Sequence, residues 1–178
     1  MTNSIIDSIK TLFISFKEIC LFRLGPQDLP ASTALLGIIV AISAVISLLL
    51  NWINLSFQQA VLAMLVNITV VIILTQLILR LYNKPMRILQ TLSAQFGSGV
   101  IISVIATPMI VMMAYAVKHD VNLTATAILW LVLLIWEIAV TTHILRHALS
   151  TSFIQGFLIA ILYPLIYFQL ISYLIPAT

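Results

Sequence analysis

Charge is scarce in this sequence. Its 178 residues include 8 Lys and Arg and 5 Asp and Glu, so 7% are charged against 62% hydrophobic. A soluble domain carries roughly 25% charged residues. A chain this poor in charge cannot cover a globule with polar surface, and its mean hydropathy of +1.20 points to lipid as its solvent. In lipid the backbone must satisfy its own hydrogen bonds, which leaves helices or closed barrels. The apolar runs are too long and unbroken for strands that alternate between lipid and lumen. Cysteine is nearly absent too. Cys20 is the single one, which excludes an intrachain disulfide, and among Ile19, Leu21 and Phe22 it reads as a small apolar filler. No long polar loop could house a soluble domain. Gly97-Ser98-Gly99 is too short and too poorly placed for a phosphate loop. No cleavable leader is expected, because the first apolar run of spanning length begins at Ala31 and continues through a full span.

What is there is an all-α, polytopic membrane protein: one membrane domain over 1–178, with five transmembrane helices preceded by an N-terminal amphipathic surface helix. The surface helix is read over 4–21, where Ile5, Ile9, Leu12, Phe13, Phe16, Ile19 and Cys20 recur at helical spacing. Asp7, Lys10, Thr11, Lys17 and Glu18 fall largely on its other side. Such a helix can lie in the lipid interface or pack across the ends of the spans. Phe22 to Pro30 holds Gly25, Pro26 and Pro30, which forbid a continuous helix and turn the chain into the membrane. The spans are read at about 31–50, 57–81, 99–117, 123–144 and 153–175. A short helical stretch from Ile88 to Phe96 leads to the third. Pro108 and Pro164 lie inside the third and fifth spans, Lys118, His119 and Asp120 make the turn between the third and fourth, and Pro176 closes the fifth.

Charge orients the chain. Lys10, Lys17, Arg23, Arg80, Lys84, Arg87 and Arg146 share one side of the membrane and Lys118 alone lies on the other. The positive-inside rule then places the N-terminus in the cytoplasm and the C-terminus outside. These seven residues form a candidate surface for anionic lipid or a partner.

Glu137 is the most informative single residue, because an acid at bilayer depth is costly and faces the bundle interior or a wet cavity. It reads either as a proton or cation site or as a neutral or paired acid that fixes helix register. With no second acid in any span, the structural pairing is the expectation. Thr141 one turn on, and Asn67, Thr75 and Gln76 of the second span, are the candidate partners. His143 and His147 share a helix face at i and i+4, a zinc-compatible spacing, but Ile144 stands where the helical metalloprotease motif needs glutamate. No third ligand is evident, so contact with headgroups or with the surface helix is expected instead, and no metal or cofactor. Tyr163 and Tyr167 flank Pro164 and read as aromatic packing, with a small cavity at the kink as the alternative.

The chain resembles the Yip family, the Ypt/Rab-interacting membrane proteins, and within it the small bacterial-type members. The resemblance rests on Gly25-Pro26 before the first span, on Leu89 to Gly99 with Gln90 and Phe96-Gly97, on Ile105-Ala106-Thr107-Pro108, and on His143 to Leu149. The long soluble N-terminal region of the eukaryotic members has no counterpart, which implies a bacterial relative. The resemblance implies a non-enzymatic adaptor, scaffold or small subunit of an inner membrane. Its implied partners are membrane lipids and other membrane proteins, with a homo-oligomer open and nucleic acid excluded. The alternative is a small transporter or channel subunit with Glu137 in a hydrated path. The surroundings of Glu137 separate the two. A dry, hydrogen-bonded carboxylate fits the adaptor and a wet cavity fits the transporter.

Overall fold

The computed structural model describes residues 2–119, 122 and 124–175. All regular structure among them is helical: α1 (Thr2–Cys20), α2 (Thr33–Trp52), α3 (Phe57–Leu81), α4 (Ile88–Lys118), α5 (Thr124–Leu149) and α6 (Phe153–Leu174). Helices α2 to α6 are each long and apolar enough to cross a membrane, and the chain is a multi-pass membrane protein. Asp120 in the expected turn, Leu123 at the expected start of the fourth span, the closing Pro176 and the side chains of Ile5, Asp7 and Ile9 lie outside the described residues.

Local signals set the ends of these helices. Ser32, Ser56 and Ser152 cap α2, α3 and α6, each hydroxyl accepting from the backbone N–H three residues on. Ser56 and Gln59 form a reciprocal capping box. Helices α1, α3 and α5 end in left-handed residues, Phe22, Asn83 and Ser150, at φ 62, 55 and 57°. The following amides reach back to Glu18, Leu79 and Arg146 carbonyls, so all three ends close in the same six-to-one bond. With 5 glycines in the chain, none supplies these turns.

The third span differs from expectation. Helix α4 runs unbroken for 31 residues through Gly97-Ser98-Gly99 and Pro108. One tertiary and one local contact accompany it: Gly97 is covered by Phe16 of α1, and the Ser98 hydroxyl donates to Ala94 O at 2.7 Å. Helix α5 runs 26 residues and passes the expected end at Ile144 to reach Leu149. At 1.5 Å per residue, α4 and α5 are about 46 and 39 Å long and exceed the ~30 Å hydrocarbon core. Their extra turns stand at one end of the bundle, which also carries Arg23, Arg80, Lys84, Arg87 and Arg146 and is called the basic end below. There Thr91, Leu92, Ala94, Phe96 and Gly97 of α4 and Ile144, Leu145 and Ala148 of α5 are buried.

The five spans close a ring. Helix α2 packs against α3 and α4, α3 against α6, α6 against α5, and α5 against α4, while α3 and α4 also meet each other. Gly156 permits the α5–α6 approach: a Cβ there would stand 3.1 Å from Thr142 O. Helix α1 lies against α4 and α5 with Phe16, Ile19 and Cys20 buried, whereas Phe13 is 59% exposed. Of the two alternatives for its apolar stripe, packing holds at the C-terminal turns.

Cys20 reports on that packing. Its Sγ lies 3.8 Å from Ser98 O, and burial pushes the thiol up to about 11. A raised thiol stays protonated at neutral pH and reacts slowly. Substituting Gly97→Leu removes the seat of Phe16 and is expected to release the end of α1. The thiolate fraction at pH 8 then rises from about a thousandth to roughly a tenth as the pKa returns toward its ordinary 9.0. The check is the rate of maleimide addition to Cys20 in detergent. An unchanged rate in Gly97→Leu contradicts the docking.

Candidate functional site

Helix α5 presents two working faces. Trp136, Val140, His143, Ile144 and His147 follow one another at helical spacing and look toward α1 and the Gly25-Pro26 corner. Trp130, Leu134, Glu137 and Thr141 look into the ring.

On the first face, side chains take up the carbonyls that the broken helix leaves without partners. Trp136 Nε1 donates to Cys20 O at 3.1 Å, and His143 Nε2 lies 2.9 Å from Leu24 O. From α4, Gln90 Nε2 donates to Leu29 O at 2.7 Å and to Gln27 O at 3.3 Å. Asp28 bends back to accept from Gly25 N at 2.8 Å. The His143 ring also meets Phe22 and His147 edge-on, at 5.5 and 4.5 Å between centroids. Of the pair, His143 therefore meets the corner, beyond the 4–21 range read for the surface helix, and His147 packs against His143. Among the described residues no group of three His, Cys, Asp or Glu converges.

On the second face lies a cavity of ≈ 450 Å³ inside the ring, to which every span contributes polar groups. Ser43, Ser47 and Asn51 come from α2, Asn67 from α3, Gln95 and Ser103 from α4, Thr141 from α5, and Tyr163 and Tyr167 from α6. Among the described residues Glu137 is the one charged side chain in the lining. It sits roughly 20 Å along α5 from Thr124, so it is deep in the bundle. Its surface nevertheless faces the cavity rather than packed protein. The cavity extends to Asn54 and Leu55 in the α2–α3 turn, at the end opposite the basic one. A side cleft of ≈ 180 Å³ between α4 and α5, walled by Ile102, Ala106 and Leu133, also reaches Glu137.

A hydrogen-bonded knot stands beneath the cavity toward the basic end. Thr75, fully buried in α3, donates to Gln95 Oε1 at 2.6 Å, and its oxygen lies 3.0 Å from the Tyr163 hydroxyl. With its single proton given to Gln95, Thr75 Oγ1 accepts from Tyr163. Three spans are thus joined by two bonds, each worth about 1 kcal/mol net.

The paired glutamate expected from the sequence is not what the fold provides. Among the described residues the Glu137 carboxylate has no hydrogen-bond or ion-pair partner. Thr75 is committed to Gln95 and Tyr163, Gln76 lies outside the lining, and Thr141 and Asn67 share the cavity without bonding the acid. Tyr163 and Tyr167 line the cavity beside Pro164 rather than serving only as packing. The proposed basic surface is also thinned. Arg87 Nη1 donates to His147 O, Ala148 O and Ser150 Oγ at 3.0, 2.9 and 3.0 Å, capping the C-terminal end of α5. Lys17 and Arg23 both pair with Glu18, at 3.4 and 3.3 Å. Lys10, Arg80 and Arg146 remain exposed and Lys84 half-exposed.

Two stripes escaped the sequence reading. Ser43, Ser47 and Asn51 recur every four residues on α2, and Gln95, Gly99 and Ser103 do so on α4. Small and polar residues at one-turn spacing on otherwise apolar spans are the signal that would have found them. No protein-family model matches this chain, and neither a curated protein nor a solved structure matches it.

Because Glu137 holds no partner, Glu137→Leu is expected to leave thermal stability in detergent unchanged or higher. The change breaks no bond and replaces an ionisable group, costly at bilayer depth, with an apolar one. A melting temperature lowered by several degrees would reveal a structural partner instead.

Proposed function

We propose that this protein is a small solute carrier, or the membrane subunit of one, in a bacterial inner membrane. The observation that supports the reading is the ring of five spans whose polar groups converge on one cavity with a single unpaired acid. Cavities of this size accommodate small molecules, and ionisable groups at membrane depth accompany solute and ion pathways. The charge asymmetry supports a cytoplasmic basic end, so the cavity reaches the outer side at Asn54. The knot of Thr75, Gln95 and Tyr163 is then the inner gate. A carrier works by opening such a gate while closing the other side.

The test uses a Cys20→Ser background and a thiol reagent that does not cross membranes. Asn67→Cys, roughly 15 Å along α3 from its start, is expected to react from the outside. Thr75→Cys, sealed in the knot, is expected not to. Equal protection of both positions refutes a water-reachable path.

A second reading, the Yip-type adaptor, draws support from the basic end. Phe13, Ile14, Leu21 and Met86 are exposed there near Lys10, Arg80 and Arg146, a mixture of apolar and basic groups suited to an anionic interface or a partner. In that reading the exposed side of α1 lies in the cytoplasmic lipid interface. Phe13→Ser spares the buried Phe16 and should release anionic vesicles and co-purifying membrane proteins. Full retention of both removes α1 as a recruitment surface.

A further inference from the structure

We infer that the ligand of this cavity is a monovalent organic cation with an apolar or aromatic body, exchanged one for one with a proton on Glu137. The inference rests on the carrier reading and names its substrate class. Charge balance is the first step. Among the described residues the lining contains one carboxylate and no basic group. At bilayer depth a bare carboxylate is unfavourable, and one proton or one monovalent cation neutralises it. An anion adds a second negative charge, and a divalent cation leaves an unbalanced positive one.

Chemistry of the wall separates organic from inorganic cations. A small metal ion needs several oxygens converging at about 2.0–2.6 Å. Here the oxygens of Thr75, Gln95 and Tyr163 are spent on one another, and among the described residues no group of three His, Cys, Asp or Glu gathers around Glu137. What the cavity offers is space and rings: Trp130, Tyr167, Phe96 and Phe168 are part of its lining. Aromatic faces attract soft organic cations by roughly 0.5–2 kcal/mol each. The side cleft between α4 and α5, apolar apart from Ser103 and Glu137, fits passage of the hydrocarbon part toward the acid.

The exchange balances. The cation enters as one positive charge, the Glu137 O–H bond breaks, the electron pair stays on the carboxylate, and the proton leaves to water. Among the described residues the titratable groups facing Glu137 are Tyr163 and Tyr167 from α6, while α2, α3 and α4 contribute amides and hydroxyls. The coupled proton is therefore assigned to Glu137. Affinity for the cation rises with pH while protons compete for the carboxylate, by up to tenfold per unit, and levels off once it is ionised.

The experiment measures binding of tetraphenylphosphonium to the purified full chain in detergent by titration calorimetry. Two buffers of different ionisation enthalpy count the protons released. The neutral triphenylphosphine oxide and sodium chloride are titrated in parallel. Expected results are saturable binding of the phosphonium, release of up to one proton that fades as pH rises, and at least tenfold weaker binding in Glu137→Gln, the isosteric change. Neither control should bind. Binding of the neutral compound as tightly as the cation, equal cation affinity in Glu137→Gln, or no phosphonium binding overturns the inference. Thiol labelling of Asn67→Cys judges the carrier reading separately. If that position reacts while phosphonium does not bind, the cavity stands and the cation class falls. If it is sealed, both fall.

Discussion

A chain that breaks its helix at a membrane boundary exposes backbone carbonyls, and lipid has no water to satisfy them. Much of this fold follows from that constraint. The break at Gly25-Pro26 leaves the carbonyls of Cys20, Leu24, Gln27 and Leu29 outside any helical ladder. Trp136, His143 and Gln90 take them up, from α5 and α4. To reach the corner, α4 and α5 have to extend beyond the hydrocarbon thickness, and both do. Their added turns form the core on which Phe16, Ile19 and Leu29 pack. The same logic recurs at the end of α5, where Arg87 fills the last carbonyls and ties the α3–α4 turn to the α5–α6 turn.

The consequence for the rest of the bundle is a division of labour along its axis. At the basic end the spans are held by short side-chain to backbone bonds and by buried small residues such as Gly97, Ala94 and Gly156. Toward the opposite end no side-chain hydrogen bond joins two spans among the described residues, and the ring encloses space. Thr75, Gln95 and Tyr163 mark the boundary. Trp136 and Glu137 are neighbours in sequence but point to different regions, one to the corner and one to the cavity. Any rotation of α5 therefore moves both.

How much of this was legible in the sequence depends on whether the signal is local. The spans were legible because lipid demands continuous apolar runs, and polar groups at Asn51, Asn54, Arg80 and Lys84 punctuate them. The unbroken course of α4 was not. Gly97-Ser98-Gly99 reads as a break on propensity alone, and what overrides it is Phe16, a tertiary contact from α1. The depth of Glu137 was legible, but its surroundings were not. Which helices face it depends on the ring order, and five apolar spans with weak amphipathicity do not encode that order in their periodicity. The residues behind the Yip resemblance fare differently. Gln90 and the Gly25-Pro26 corner are widely separated in sequence, yet they are joined in the fold through Leu29 and Gln27. That pairing gives both features a packing role independent of any family assignment.

The position of Glu137 is then a question of free energy. Placing an acid at that depth costs a few kcal/mol, a sizeable part of the roughly 5–15 kcal/mol that separates a folded domain from its unfolded chain. A hydrogen bond to a neighbouring hydroxyl would return about 1 kcal/mol and relieve the unsatisfied carboxylate. The fold has such hydroxyls nearby, and it uses them otherwise: Thr75 and Tyr163 bond to each other and Thr75 to Gln95. Thr75, Gln95 and Tyr163 are thus engaged with one another, while Thr141 and Tyr167 share the cavity with Glu137 without bonding it. A glutamate kept for register would be expected inside that knot. One that stands above it faces ≈ 450 Å³ of cavity and has no hydrogen-bond or ion-pair partner among the described residues.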